Sequence, residues 1–175
     1  MNKKLLSIIV IIIVVGAVAG YLFIFKNVGS LPFSSSGVPS DWQTYQNKEY
    51  GFSIKYPSNY VQADQKELGE HIISFGPEQK GGDMRGQMMV IITEKSYGES
   101  IEEFRKTTAG KLQEKPRSVR GINGAEFEGK PDPQMSGIWI LIPYKDRALA
   151  FITIAPSLEN EAIQRFDLFV SSFVP

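Results

Sequence analysis

His71 is the one histidine of this 175-residue chain, and the chain holds no cysteine. Disulfides, thiolate metal sites and cysteine nucleophiles are thereby excluded. Asp64, Glu67 and Glu70 precede His71, so a zinc site there would have carboxylates alone as co-ligands, an uncommon donor set. Service as a general base needs a nucleophile that only the fold can bring near. An ordinary strand histidine is the simpler reading. Glu126 and Glu128 stand two residues apart, and paired carboxylates run glycoside chemistry. Alternation with Ala125 and Phe127 also describes a solvated strand face.

Met84, Met88 and Met89 bring three thioethers into six residues, a donor type that suits Cu(I). Adjacent strand residues face opposite ways, however, which favours core packing for Met88 and Met89. Gly124 to Lys130 fits G-x-x-x-x-G-K, but Pro131 stands where a phosphate loop needs Ser or Thr for magnesium. The G-x-S-x-G elbow and the dinucleotide, EF-hand and zincin patterns are absent. The sequence therefore assigns no catalytic residue, no metal ligand and no cofactor.

The elements that would position these residues begin beyond residue 40. Leu5 to Phe25 form 21 uncharged, mostly aliphatic residues. As a helix they would span about 31 Å, the thickness of a bilayer's hydrocarbon core. Residues 1–4, with Lys3 and Lys4, form a cytoplasmic tail under the positive-inside tendency, and everything after the span lies outside. Cleavage after Ala17-Val18-Ala19 would instead secrete the domain, but Tyr21 to Phe25 carry the apolar run past that point. Residues 26–40, rich in Ser, Gly and Pro, read as a flexible linker.

Residues 41–175 suit one extracytoplasmic domain. Lys and Arg total 19 in the chain and Asp and Glu total 19, yet Lys3, Lys4 and Lys26 precede the first acid, Asp41. The domain thus has 16 bases against 19 acids, net −3, with charges interspersed, and is no nucleic-acid binder.

Tyr50, Phe52, Ile54 and Tyr56 alternate with Gly51, Ser53 and Lys55, the pattern of a strand with one buried face that Pro57 stops. Further strands are expected at 71–75, 87–93, 118–122, 125–128, 137–142 and 148–154. The last two are apolar on both faces, which predicts mid-sheet positions with helices on each side. Asn123-Gly124 predicts a tight hairpin turn, and 144–147 another. Ser100 and Glu103 predict a capping box opening a helix that carries Ile101, Phe104, Thr108 and Leu112. Ala162, Ile163, Phe166, Phe169 and Val170 predict a second helix. Trp42 and Tyr45 fit core packing or a binding surface. The fold class is α+β: a transmembrane helix, then a mainly antiparallel sheet sandwiched between helices.

The segment Tyr50-Gly-Phe-Ser-Ile-Lys-Tyr-Pro57 resembles the opening signature of PsbP-like domains, and Phe166 with Ser171-Ser-Phe173 resembles their close. Tyr60 stands where the family usually has Trp. The resemblance implies an α/β/α sandwich and a non-enzymatic accessory role, as in membrane-anchored bacterial relatives of unassigned function. The expected protein is thus a single-pass, anchored binding domain, held by the bilayer through residues 5–25 and facing an envelope protein. The glycine-rich loop at 76–86, with Asp83 and Arg85, is the expected contact. Two alternatives stand beside it: an exported hydrolase of envelope polymers using Glu126, Glu128 or His71, and a structural subunit of a membrane complex.

Overall fold

The computed structural model describes residues 37–67, 70–77 and 88–175. The expected span at 5–25, most of the linker, and Met84, Asp83 and Arg85 lie outside the described residues. Among those described, no helix is long and apolar enough to cross a membrane.

Within the described residues, nine strands and two helices follow one another as β1 (Gln43–Asn47), β2 (Phe52–Tyr56), β3 (Tyr60–Glu67), β4 (Glu70–Pro77), β5 (Met88–Thr93), α1 (Tyr97–Thr107), β6 (Leu112–Val119), β7 (Ile122–Asp132), β8 (Met135–Tyr144), β9 (Arg147–Ala155) and α2 (Asn160–Ser171). β1 and β2 form a small sheet, and the other seven form a large one in the order β3-β4-β5-β9-β8-β7-β6. Every pairing is antiparallel. β8 and β9 lie inside the sheet, as their two-sided apolar character predicts.

The two faces carry separate cores. Ile138, Ile140 and Ile142 of β8 join Leu149 and Phe151 of β9, and the β1–β2 hairpin and α2 close over them with Phe52, Ile54, Phe166 and Phe169. Trp139, Leu141, Ala150 and Ile152 point the other way, beneath Ile101 and Phe104 of α1. Each fully buried Phe or Ile contributes about 1.5–3 kcal/mol by leaving water, so these side chains hold the layers together. Trp42 and Tyr45 are 6% and 9% exposed and belong to the core. Val174 exchanges two 2.9 Å backbone hydrogen bonds with Ser53, and Ser172 Oγ accepts from Lys55 N. The last residues thus lie along the open side of β2.

Three expectations need correction. Asn123-Gly124 does not turn: Asn123 pairs with Ser118 and Gly124 with Arg117, while Arg120-Gly121 makes the bend, with φ of 52° and 82°. Gly124 is a close-approach residue instead, since a Cβ there would meet the Leu141 carbonyl oxygen at 2.1 Å. The capping box is Ser96 with Glu99, one turn before Ser100 and Glu103. Leu112 opens β6 and is not in α1. Thr107 and Thr108 donate their hydroxyls to the Glu103 and Phe104 carbonyls at the helix end, and Gly110, with φ of 75°, lies in the turn that Lys111 N closes on the Thr108 carbonyl. The turn at Lys145-Asp146 falls as expected, between paired Tyr144 and Arg147.

Antiparallel order gathers the connections at two poles. Asp41 accepts from Ser58 just before Tyr60, at the same pole as Pro77, Met88, Leu112 and Ala155. The far pole carries the β1–β2 turn, Arg120-Gly121 and Lys145-Asp146.

Candidate functional site

β4 alternates, so His71, Ile73 and Phe75 share the face that the β1–β2 hairpin covers. His71 is 5% exposed. Its Nε2 bonds Asp64 Oδ1, one strand away on β3. An ionised carboxylate only accepts, so this bond puts a proton on Nε2. Tyr45 of β1 donates its hydroxyl to Asp64 Oδ2 at 3.0 Å and accepts from Asn47 Nδ2 at 3.0 Å. Asn47 Oδ1 in turn accepts from the Tyr50 amide, and the Tyr50 ring packs 5.4 Å from the imidazole. Burial first, then the bond to Asp64, pushes the Tyr45 phenol up to about 12. The cluster thus fastens the hairpin to the sheet. Its chemistry is that of a held proton, with Asp64 serving two donors.

Glu126 of β7 is buried beneath the edge of α2. Lys115 Nζ lies 2.9 Å from its Oε1, and Arg117 Nη1 lies 3.4 Å from its Oε2. Arg117 also holds Asp167 of α2 at 2.7 Å, so the carboxylate sits within a chain of charges that pins the helix. Glu128, two residues on, is 48% exposed and meets Lys115 at 3.2 Å. The sequence made these two look alike. They share one face of β7, where Glu126 is buried and Glu128 is exposed.

His71 and Glu126 do not form one site. β5, β9 and β8 stand between their strands, and four strand spacings are about 19 Å. Met88 and Met89 point into opposite cores, as alternation requires. The G-x-x-x-x-G-K stretch runs along β7 with no helix following. Among the described residues, no three His, Asp or Glu side chains gather as a metal-holding group.

Arg165 is the buried charge that sequence reading missed. It lies on the apolar side of α2, 6% exposed, and donates to the Tyr60 hydroxyl at 3.0 Å and to Glu161 at 2.9 Å. Burial raises the Tyr60 phenol, while Arg165 opposes that shift. The signal available was the i, i+4 spacing of Glu161 and Arg165. Asp64 escaped as the partner of His71 because its segment was not read as a strand.

No protein-family model matches the chain, and no curated protein sequence does. Among solved structures, it is similar to cyanobacterial PsbP (CyanoP) from Synechocystis sp. PCC 6803, at 16% identity and a TM-score of 0.49, over 84% of this chain and 98% of that one. It is also similar to a protein from Bacteroides thetaiotaomicron VPI-5482, at 10% identity and a TM-score of 0.49, over 77% of this chain and 48% of that one.

Proposed function

We propose that this chain is a membrane-anchored, extracytoplasmic accessory domain that binds an envelope protein and catalyses no reaction. The supporting observation is that its acid–base candidates are taken up in ion pairs, Glu126 and Glu128 on a shared Lys115 and His71 on Asp64, far from them. His71 and Glu126 are about four strand spacings apart, near 19 Å, too far to act on one bond. Each is also engaged: His71 by Asp64, Glu126 by Lys115 and Arg117. The apolar run at 5–25 supports the anchor. A tether of about fifteen residues then keeps the domain within roughly 20 Å of the bilayer, where weak contacts suffice.

The loop carrying Asp83 and Arg85 belongs to the same reading. It joins Pro77 to Met88, at the pole where Asp41 meets Ser58 and the tether ends, and so would meet a partner close to the membrane. Fractionation of cells making the full chain tests the anchor. It is expected in the membrane pellet, released by detergent and retained through an alkaline wash. Unprocessed chain in the soluble fraction would overturn the reading. A partner captured with it should lose affinity when Asp83 and Arg85 are reversed in charge, and an unchanged affinity would remove the loop.

A further inference from the structure

Asn123-Gly124 is the one Asn-Gly pair of the chain, and it keeps that pair's reactivity although it makes no turn. In such a pair the glycine nitrogen can attack the asparagine side-chain carbonyl carbon, because the second residue has no Cβ to crowd the approach. The nitrogen gives up its proton and bonds to Cγ, and the side-chain amide leaves as ammonia. Water then opens the five-membered ring at either carbonyl. One opening yields aspartate. The other yields isoaspartate, whose main chain runs through the former side chain and is one carbon longer. Only water is consumed, and nothing is oxidised or reduced.

Ring closure needs a free nitrogen and a backbone rotated to bring that nitrogen against Cγ. The fold withholds both. Arg120-Gly121, with φ of 52° and 82°, is a two-residue bend of the kind that closes on a bonded pair, here Val119 with Ile122. Bonded and unbonded pairs alternate along an antiparallel ladder, so Ser118–Asn123 is unbonded and Arg117–Gly124 is bonded. Pro116 agrees, since a residue without N–H suits the next unbonded pair, opposite Ala125. The Gly124 nitrogen therefore donates to the Arg117 carbonyl. Asn123 is exposed to water, yet the extended backbone of β7 turns the Gly124 nitrogen away from its Cγ.

The longer product also has no place in the closed strand. An added backbone carbon at 123 would displace Gly124, where a Cβ would already meet the Leu141 carbonyl oxygen at 2.1 Å and Ile142 Cγ2 at 2.9 Å. Buried Ala125, Glu126 and Phe127 follow at once and would shift with it.

We propose that Asn123 is a latent modification site: water deamidates it only while the β6–β7 hairpin is open, and the isoaspartyl product then keeps β7 from regaining its register. Neither the anchor nor any partner enters this reasoning, so it stands or falls apart from them.

The test ages the full chain in neutral detergent at mildly alkaline pH and follows the peptide holding Asn123 by mass spectrometry. Native chain is expected to convert at least about tenfold more slowly than chain in denaturing urea, because the reaction waits on the open population. Gly121→Ala strains the bend and should speed conversion about threefold or more. Gly110→Ala is equally strained, at φ of 75°, but lies outside the hairpin and should stay within about twofold of the parent. Isoaspartyl chain separated from the aged sample should melt below the parent, whereas Asn123→Asp, with the charge on an ordinary backbone, should melt with it. The proposal falls if native and denatured chain convert at equal rates, if Gly121→Ala speeds conversion no more than Gly110→Ala, or if the isoaspartyl chain melts with the parent.

Discussion

Tyr45 binds Asp64 and Asn47 through one oxygen, and removing that oxygen leaves both partners short. Tyr45→Phe is expected to cost about 1 kcal/mol at pH 7, read by denaturant unfolding. The folded phenol titrates near 12 against about 10 when unfolded. Folding therefore favours the neutral form. That stabilisation is whole below pH 10 and is lost as pH rises toward 12. The gap between parent and Tyr45→Phe should accordingly narrow across that window, and a constant gap would mean the hydroxyl is not held as described. Glu126 offers a sharper contrast with its neighbour. Glu126→Gln leaves Lys115 and Arg117 facing a neutral group under α2 and is expected to cost about 1–3 kcal/mol. Glu128→Gln, exposed farther along the same face, should stay within about 0.5 kcal/mol, and equal melting temperatures for the two variants would contradict the burial.

Among the elements, strands with one clear period were legible and those defined by their partners were not. Phe52 to Tyr56 declared itself through alternation, and β8 and β9 through apolar residues on both faces. β3 reads Tyr-Val-Gln-Ala-Asp-Gln-Lys-Glu, with almost no apolar alternation, and is a strand because β4 pairs with all eight residues. The histidine cluster was hidden for the same reason, since its two halves meet only through that pairing. Both capping boxes, Ser96 with Glu99 and Ser100 with Glu103, satisfy the local rule. The Ser96 cap brings Tyr97 into the helix, where it packs on the same core as Ile101 and Phe104. Asn123-Gly124 shows the converse error: the glycine is there for the neighbouring strand and not for a bend. Gly124→Ala should cost about 1–3 kcal/mol or shift the β7–β8 register, because a methyl group cannot share space with the Leu141 carbonyl. An unperturbed melting temperature would refute that close approach.

For the molecule as a whole, the open sides of the large sheet decide whether it stays apart from its copies. β6 is one such side, exposed along Gln113 to Pro116, with Glu114 and Lys115 on it. Pro116 sits mid-strand with no N–H to offer, which blocks pairing with a second chain. Pro116→Thr is expected to increase self-association, seen by sedimentation of the full chain in detergent, and an unchanged profile would show that the charges alone suffice. The bonds joining Ser53 to Val174, and Lys55 to Ser172 across 117 residues of sequence, carry a temporal meaning as well. Closing so long a loop is slow compared with forming local turns. During synthesis the hairpin made first must wait, with its outer side unfilled, until residues 172–174 arrive. The hairpin is therefore among the last parts of the fold to be sealed, and any helper guarding it during synthesis would have to stay until residues 172–174 have emerged.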